Sequence, residues 1–153
     1  MLSAEPLLDA ICDVTGVPES FPGMPAGTRT THLVEPPADN HFLKAFGQPA
    51  REMTCQCERG SDTNLAQALQ MINGPVVHNK LRDAKGRIHT LFAAGKSDDE
   101  IVTELYQAAV SRKPTQQELD TARSHIASSQ DRKAGLEDIG WAVLNTKEFL
   151  FQH

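Results

Sequence analysis

The residues best suited to chemistry in this sequence fall in one short stretch. Cys55 and Cys57 are separated by a single glutamine, and the flanking charged residues are Arg51, Glu52, Glu58 and Arg59. Thiols, carboxylates and guanidinium groups so close together can support redox, metal-binding or acid–base chemistry. This stretch is the candidate site, and the surrounding elements must position it.

The two cysteines of this stretch allow three interpretations. Thiols separated by one residue can close a strained, easily reduced disulfide, and Arg51 and Arg59 would favour the thiolate form. They could instead bind a metal, with His41, His32 or His78 as a further ligand, although zinc sites more often have two to four residues between cysteines. In the third interpretation they are structural, either as buried thiols or as a clip that braces an irregular connector.

The four charged residues around the cysteines also allow more than one interpretation. Arginine paired with carboxylate can pin a loop against helices, which predicts a structural network. Alternatively, Arg51 and Arg59 could hold an anion such as a sulfate, a carboxylate or a sugar acid. Glu52 or Glu58 would then be a general acid or base.

The remaining reactive side chains show no catalytic pattern. The third cysteine, Cys12, lies on the apolar face of a predicted helix and is expected to be a small buried hydrophobe. The six histidines form no HExxH motif, and we find no phosphate-binding loop, nucleophile elbow or Ser-His-Asp set. The sequence therefore predicts no catalytic residue and no cofactor.

Composition restricts the class of protein. The chain has 153 residues, 39% of them hydrophobic and 23% charged, which is ordinary for one globular domain with a buried core. Its net charge of -5 and the lack of a basic run argue against nucleic-acid binding. No apolar run is long enough to span a membrane. The amino terminus carries Glu5 and Asp9 and does not have the pattern of a signal peptide.

The periodicity of apolar residues predicts an all-α fold, an irregular bundle of seven or eight mostly short helices. Ser3 can cap the first helix, which Gly16 ends. Ser97 and Thr115 each begin a capping box, with glutamate three residues later. The other predicted helices cover residues 41–46, 64–72, 76–83, 87–94 and about 133–144. In the segment after the last of them, Phe149 and Phe151 are available to dock.

A long loop rich in proline and glycine interrupts this helical pattern. It covers residues 15–38, where only 28–34 could be extended, and we expect it to wrap the helical body with Phe21 and Met24 as anchors. The predicted organisation is one helical domain, residues 1–153. Within it, the wrapping loop is followed by a short helix and the Cys-Gln-Cys connector (39–60) and then by the helical body (61–153).

Several blocks of the sequence resemble one known family. FLKAFGQPAREMTCQCER, LAQALQMINGPVVHNKL, IVTELYQAAVSRKPTQQEL and DIGWAVLNTKEFLFQH follow one another in the order of the planctomycete-type domain of unknown function 1553. An earlier block, LLDAICDVTGVPESFPGMPAGTR, is similar to the same family. The resemblance covers nearly the whole chain.

The resemblance implies a multidomain context for the chain but no particular reaction. Members lie at the carboxyl end of large exported proteins, often with a cytochrome-c-like haem domain upstream, and no activity is established for them. The chain lacks a haem-attachment motif of its own. The resemblance therefore implies an extracytoplasmic interaction module whose partners are the upstream domains of the same parent protein.

Overall fold

The computed structural model describes residues 2–34, 40, 42–43 and 74–151. In this part of the chain we number seven α-helices in chain order and find no β-strand. A 3-10 helix, Thr30–His32, follows the first of them. The α-helices are α1 (Ala4–Thr15), α2 (Pro75–Arg82), α3 (Arg87–Ala93), α4 (Asp98–Val110), α5 (Gln116–Ser128), α6 (Arg132–Leu144) and α7 (Lys147–Phe151). The predicted all-α class is confirmed.

Helix α1 forms because apolar residues recur at helical spacing along one face. Leu7, Leu8 and Ile11 are each fully buried. Ser3 stands at the N-cap position, although its side chain makes no capping hydrogen bond. Gly16 ends the helix with φ of 72°, a left-handed conformation that glycine adopts without strain.

Helices α4 and α5 begin as the sequence predicts. The hydroxyls of Ser97 and Thr115 accept hydrogen bonds from the backbone N–H three residues on, and Glu100 and Glu118 bond back to the N-cap backbone. Both capping boxes are therefore complete. They satisfy N–H groups that have no partner within the helix.

Helix α6 lies at the centre of the bundle, where it packs against α2, α3, α4, α5 and α7. Two glycines of α6 permit the close approach of the neighbouring helices. A β-carbon at Gly140 would come within 2.8 Å of Leu81, and one at Gly135 would lie 3.0 Å from the Cα of Ile126. The core formed around α6 and α1 includes Leu136, Leu144, Ile101, Leu105, Ile88 and Phe149.

One predicted anchor of the wrapping loop is wrong, and the two phenylalanines near the chain end differ in burial. Phe21 is buried, but Met24 is 51% exposed and does not act as an anchor. The stretch 28–34, which the sequence allowed to be extended, contains the 3-10 helix, because a buried carboxylate caps its first N–H groups. Phe149 is buried and docks as predicted, whereas Phe151 is 38% exposed.

Two predicted helices fall wholly or partly outside the described residues. The helix at 64–72 lies outside them. Of the helix at 41–46, Phe42 and Leu43 are described; both are helical and buried, and the side chain of Asn40 accepts a hydrogen bond from Leu43 N. None of the helices of the described residues is long and apolar enough to cross a bilayer.

Candidate functional site

The cluster predicted from sequence falls outside the described residues, so its geometry stays a prediction. This applies to Arg51, Glu52, Cys55, Cys57, Glu58, Arg59 and His41. Of the other possible ligands, His32 ends the 3-10 helix and His78 lies on α2. Within the described residues, no three His, Cys, Asp or Glu side chains are grouped so that they could hold a metal ion.

A different region of the described chain forms a concave surface. Residues 16–34, which we call the anchored loop, leave a crevice of about 310 Å³ against α1. The crevice is lined from the helix by Asp9, Cys12, Asp13 and Gly16, and from the loop by Pro18, Glu19, Gly27, Thr28 and Arg29. Three buried or partly buried charges of the neighbouring helices fix the geometry of this region.

The first charge is the carboxylate of Asp9 on α1, which is 6% exposed. It accepts hydrogen bonds from Thr30 N at 2.7 Å, Thr31 N at 3.1 Å and the Thr31 hydroxyl at 2.8 Å. Burial by itself raises the pKa of Asp9, but the bonds from Thr31 and Thr30 outweigh it and hold the pKa below its usual value. The anchored loop is thus tied to α1 by an ionised carboxylate.

The second charge is Lys80 on α2, which is 7% exposed. Its Nζ donates to Val17 O at 3.1 Å and to Pro18 O at 3.3 Å, and lies 3.2 Å from Glu19 Oε2. A buried ammonium is tolerated only when its donors are satisfied, and here three oxygens of the loop satisfy them. Lys80 therefore fixes the start of the loop against α2.

The third charge is Arg87 at the start of α3. Its Nε donates to Val14 O at 2.8 Å and its Nη2 to Asp13 O at 3.0 Å, both carbonyls in the last turn of α1. A cation at a helix carboxyl end also interacts favourably with the helix dipole. The backbone approaches closely here, since a β-carbon on Gly16 would lie 3.3 Å from Arg87 N.

The outer part of the anchored loop consists of two successive turns. Met24 N bonds to Phe21 O and Thr28 N to Pro25 O. Gly23 and Gly27 have φ of 76° and 82°, which the third position of a type II turn requires. Because Phe21 is buried beneath the first turn, the turns hold Met24 outward at a defined position.

Cys12 is half-buried at the crevice, where it packs against the core, and is therefore less buried than the small buried hydrophobe expected from sequence. Burial raises the pKa of the Cys12 thiol, although the nearby ammonium of Lys80 acts in the opposite direction. A thiol kept in its neutral form is a poor nucleophile. The crevice therefore does not present an activated cysteine.

The carboxylates of the crevice are already engaged. Asp9 binds the loop backbone, Glu19 binds Lys80, and Asp13 binds Arg29 Nη2 at 2.9 Å in an exposed pair. Each of the three carboxylates therefore already has a hydrogen-bonding or cationic partner in the loop or on α2. Together these contacts can hold the loop in one conformation against α1 and α2.

A second polar region lies on helix α6, where two adjacent carboxylates bind histidines of neighbouring helices. Glu137 Oε1 lies 2.8 Å from His89 Nε2 on α3, and Asp138 Oδ2 lies 3.0 Å from His125 Nε2 on α5. The first pair is 14% and 15% exposed, and the second is 45% and 63% exposed. Both tie helices together.

The anchoring roles of Asp9 and Lys80 were not predicted from sequence. A signal existed for Asp9, because it stands among Leu7, Leu8 and Ile11, where a buried carboxylate would need partners. No comparable signal marks Lys80, since its partners lie more than sixty positions away and are two backbone carbonyls and the carboxylate of Glu19. Neither residue belongs to a recognisable motif.

A comparison with known protein families identifies the family of this chain. Residues 27–126 match PSD1, described as a protein of unknown function (DUF1553). This match covers well over half of the 153 residues. The chain belongs to the PSD1 family. The resemblance is thereby confirmed at the level of the family for the three blocks that lie within residues 27–126, and the match includes most of the second half of the anchored loop. Neither the curated proteins nor the solved structures give a match.

Proposed function

We propose that this chain is a non-catalytic interaction module at the carboxyl end of a larger, extracytoplasmic protein of the planctomycete type. Its contact surface is the outer part of the anchored loop together with the crevice beside α1. Its partners are the upstream domains of the same parent protein, including a cytochrome-c-like haem domain where the parent carries one.

The observation that carries this proposal is that charged groups hold an irregular loop in one conformation. Long loops without regular structure are uncommon in compact domains, and ordered ones are often functional. Here Asp9 and Lys80, each less than 10% exposed, are buried to hold the loop. Burying a charge costs desolvation free energy, and a loop that only connects two helices does not need buried charges to hold it.

The chemistry of the loop surface supports binding rather than catalysis. The turns present Met24 at 51% exposure, and methionine adapts to irregular apolar surfaces of a partner. The loop is preorganised, so little conformational entropy is lost when it binds. Membership of the PSD1 family agrees with a module of unknown activity.

A binding experiment with one loop variant tests the proposal. The purified chain is titrated calorimetrically with the upstream region of its parent protein, as the wild type and as Met24→Glu. A carboxylate in an apolar contact must be desolvated without a partner, so we expect Kd to rise at least tenfold, or about 1.4 kcal/mol. Circular dichroism should show an unchanged thermal midpoint, because Met24 is exposed.

The matched control is Ala127→Glu on the exposed face of α5, remote in sequence from the loop. It introduces the same charge and should leave Kd unchanged. Absence of binding to the upstream region, or equal losses for both variants, would overturn the proposal. Turnover of a substrate or stoichiometric metal in the purified chain would contradict its non-catalytic part.

Two other sequence predictions concern residues outside the described part and need their own measurement. A redox or metal role for Cys55 and Cys57 is tested by counting thiols in a Cys12→Ala chain before and after mild reductant. Two free thiols under oxidising conditions would remove the basis of a disulfide. An anion or sulfated-glycan site at Arg51 and Arg59 predicts glycan binding that is lost in Arg59→Ala with the fold intact.

A further inference from the structure

We draw no further inference here: the strongest candidate outside the anchored loop, the shallow cleft between α2 and α6 lined by His78, Glu137, Asp138 and Trp141, has a volume of only about 40 Å³, and its two carboxylates already bind histidines of α3 and α5, so nothing in the described part of the chain indicates what would occupy it.

Discussion

The anchored loop and the helical body from α4 to α7 use charged residues in opposite ways. In the loop region, Asp9 and Lys80 are buried and bind mainly backbone groups. In the body, Arg112 is 36% exposed and binds the carboxylates of Glu118 and Glu148 at the surface. The helices of the body satisfy most of their own backbone hydrogen bonds, whereas the loop makes only a few within its turns. Charges therefore define the conformation of the loop and only supplement that of the body.

This contrast predicts that the largest loss of stability comes from Lys80→Met. Methionine preserves the volume of the side chain but leaves the partly buried Glu19 and two carbonyls without their donor. Removing one partner of a buried pair costs about 3 kcal/mol. For a chain of this size the thermal midpoint should fall by roughly 6 to 12 °C.

Lys85→Met provides the control for this variant. Lys85 lies in the exposed turn between α2 and α3, and the substitution should change the free energy of unfolding by less than about 0.5 kcal/mol. Urea unfolding of both variants measures the difference. Equal effects would show that Lys80 does not anchor the loop.

The next largest effect is expected for Asp9→Ala, which removes the acceptor of three hydrogen bonds. Two backbone N–H groups and one hydroxyl lose their charged partner, which we expect to cost about 2 kcal/mol. Hydrogen exchange should speed up much more at Thr30 and Thr31, whose N–H groups lose their acceptor, than in α6, whose core amides report only the loss of global stability. Uniform acceleration in both regions would contradict a local role for Asp9.

The same carboxylate gives a pH dependence of defined sign. The folded-state pKa of Asp9 lies below its ordinary value of 3.8, so its contribution is present above that pH and is lost as the pH falls below it. Wild type should therefore lose more stability between pH 5 and pH 2 than Asp9→Asn. Glu118, with a pKa lowered to about 2 mainly by Arg112, contributes in the same direction in both proteins.

Smaller losses of stability are predicted for substitutions of two adjacent residues of α6, and the two losses should differ. Glu137→Ala removes the partner of the largely buried His89, and Asp138→Ala removes that of the exposed His125. We expect a loss of about 1.5 kcal/mol for the first and less than about 0.5 kcal/mol for the second. Both variants lie on one helix and gain the same residue, so the helix propensities differ only by that between glutamate and aspartate, about 0.3 kcal/mol. Similar losses in urea unfolding would mean that burial does not set the strength of these pairs.

The same distinction explains how much could be predicted from sequence. Local signals were sufficient for α4 and α5, since Ser97 and Thr115 begin capping boxes that involve a residue three positions away. The loop depends on Asp9 binding residues more than twenty positions away and on Lys80 binding backbone atoms, which no local pattern encodes. Met24 illustrates the resulting error, because apolar character alone suggested burial.

For the candidate site, residue types and spacing alone do not decide between the possible roles. Cys55 and Cys57 attracted attention because of their residue types, yet one intervening residue is compatible with a disulfide, a metal site or a structural clip. Only the surroundings of the two sulfur atoms distinguish these possibilities. Residue type alone also overlooked the crevice, whose walls are built from ordinary carboxylates and glycines.

The smallest predicted effect separates two neighbouring hydroxyls at the Asp9 anchor. The Thr31 hydroxyl donates to Asp9 at 2.8 Å, so Thr31→Val should cost about 1 kcal/mol. The Thr30 hydroxyl is buried beside the same carboxylate but makes no hydrogen bond of acceptable geometry. Thr30→Val replaces that hydroxyl with a methyl group of similar size, and should be neutral or stabilising by up to about 1 kcal/mol. Urea unfolding of the two variants measures whether each substitution raises or lowers the free energy of unfolding. A loss for Thr30→Val as large as that for Thr31→Val would show that both hydroxyls bind Asp9, and that the carboxylate accepts four hydrogen bonds from the loop rather than three.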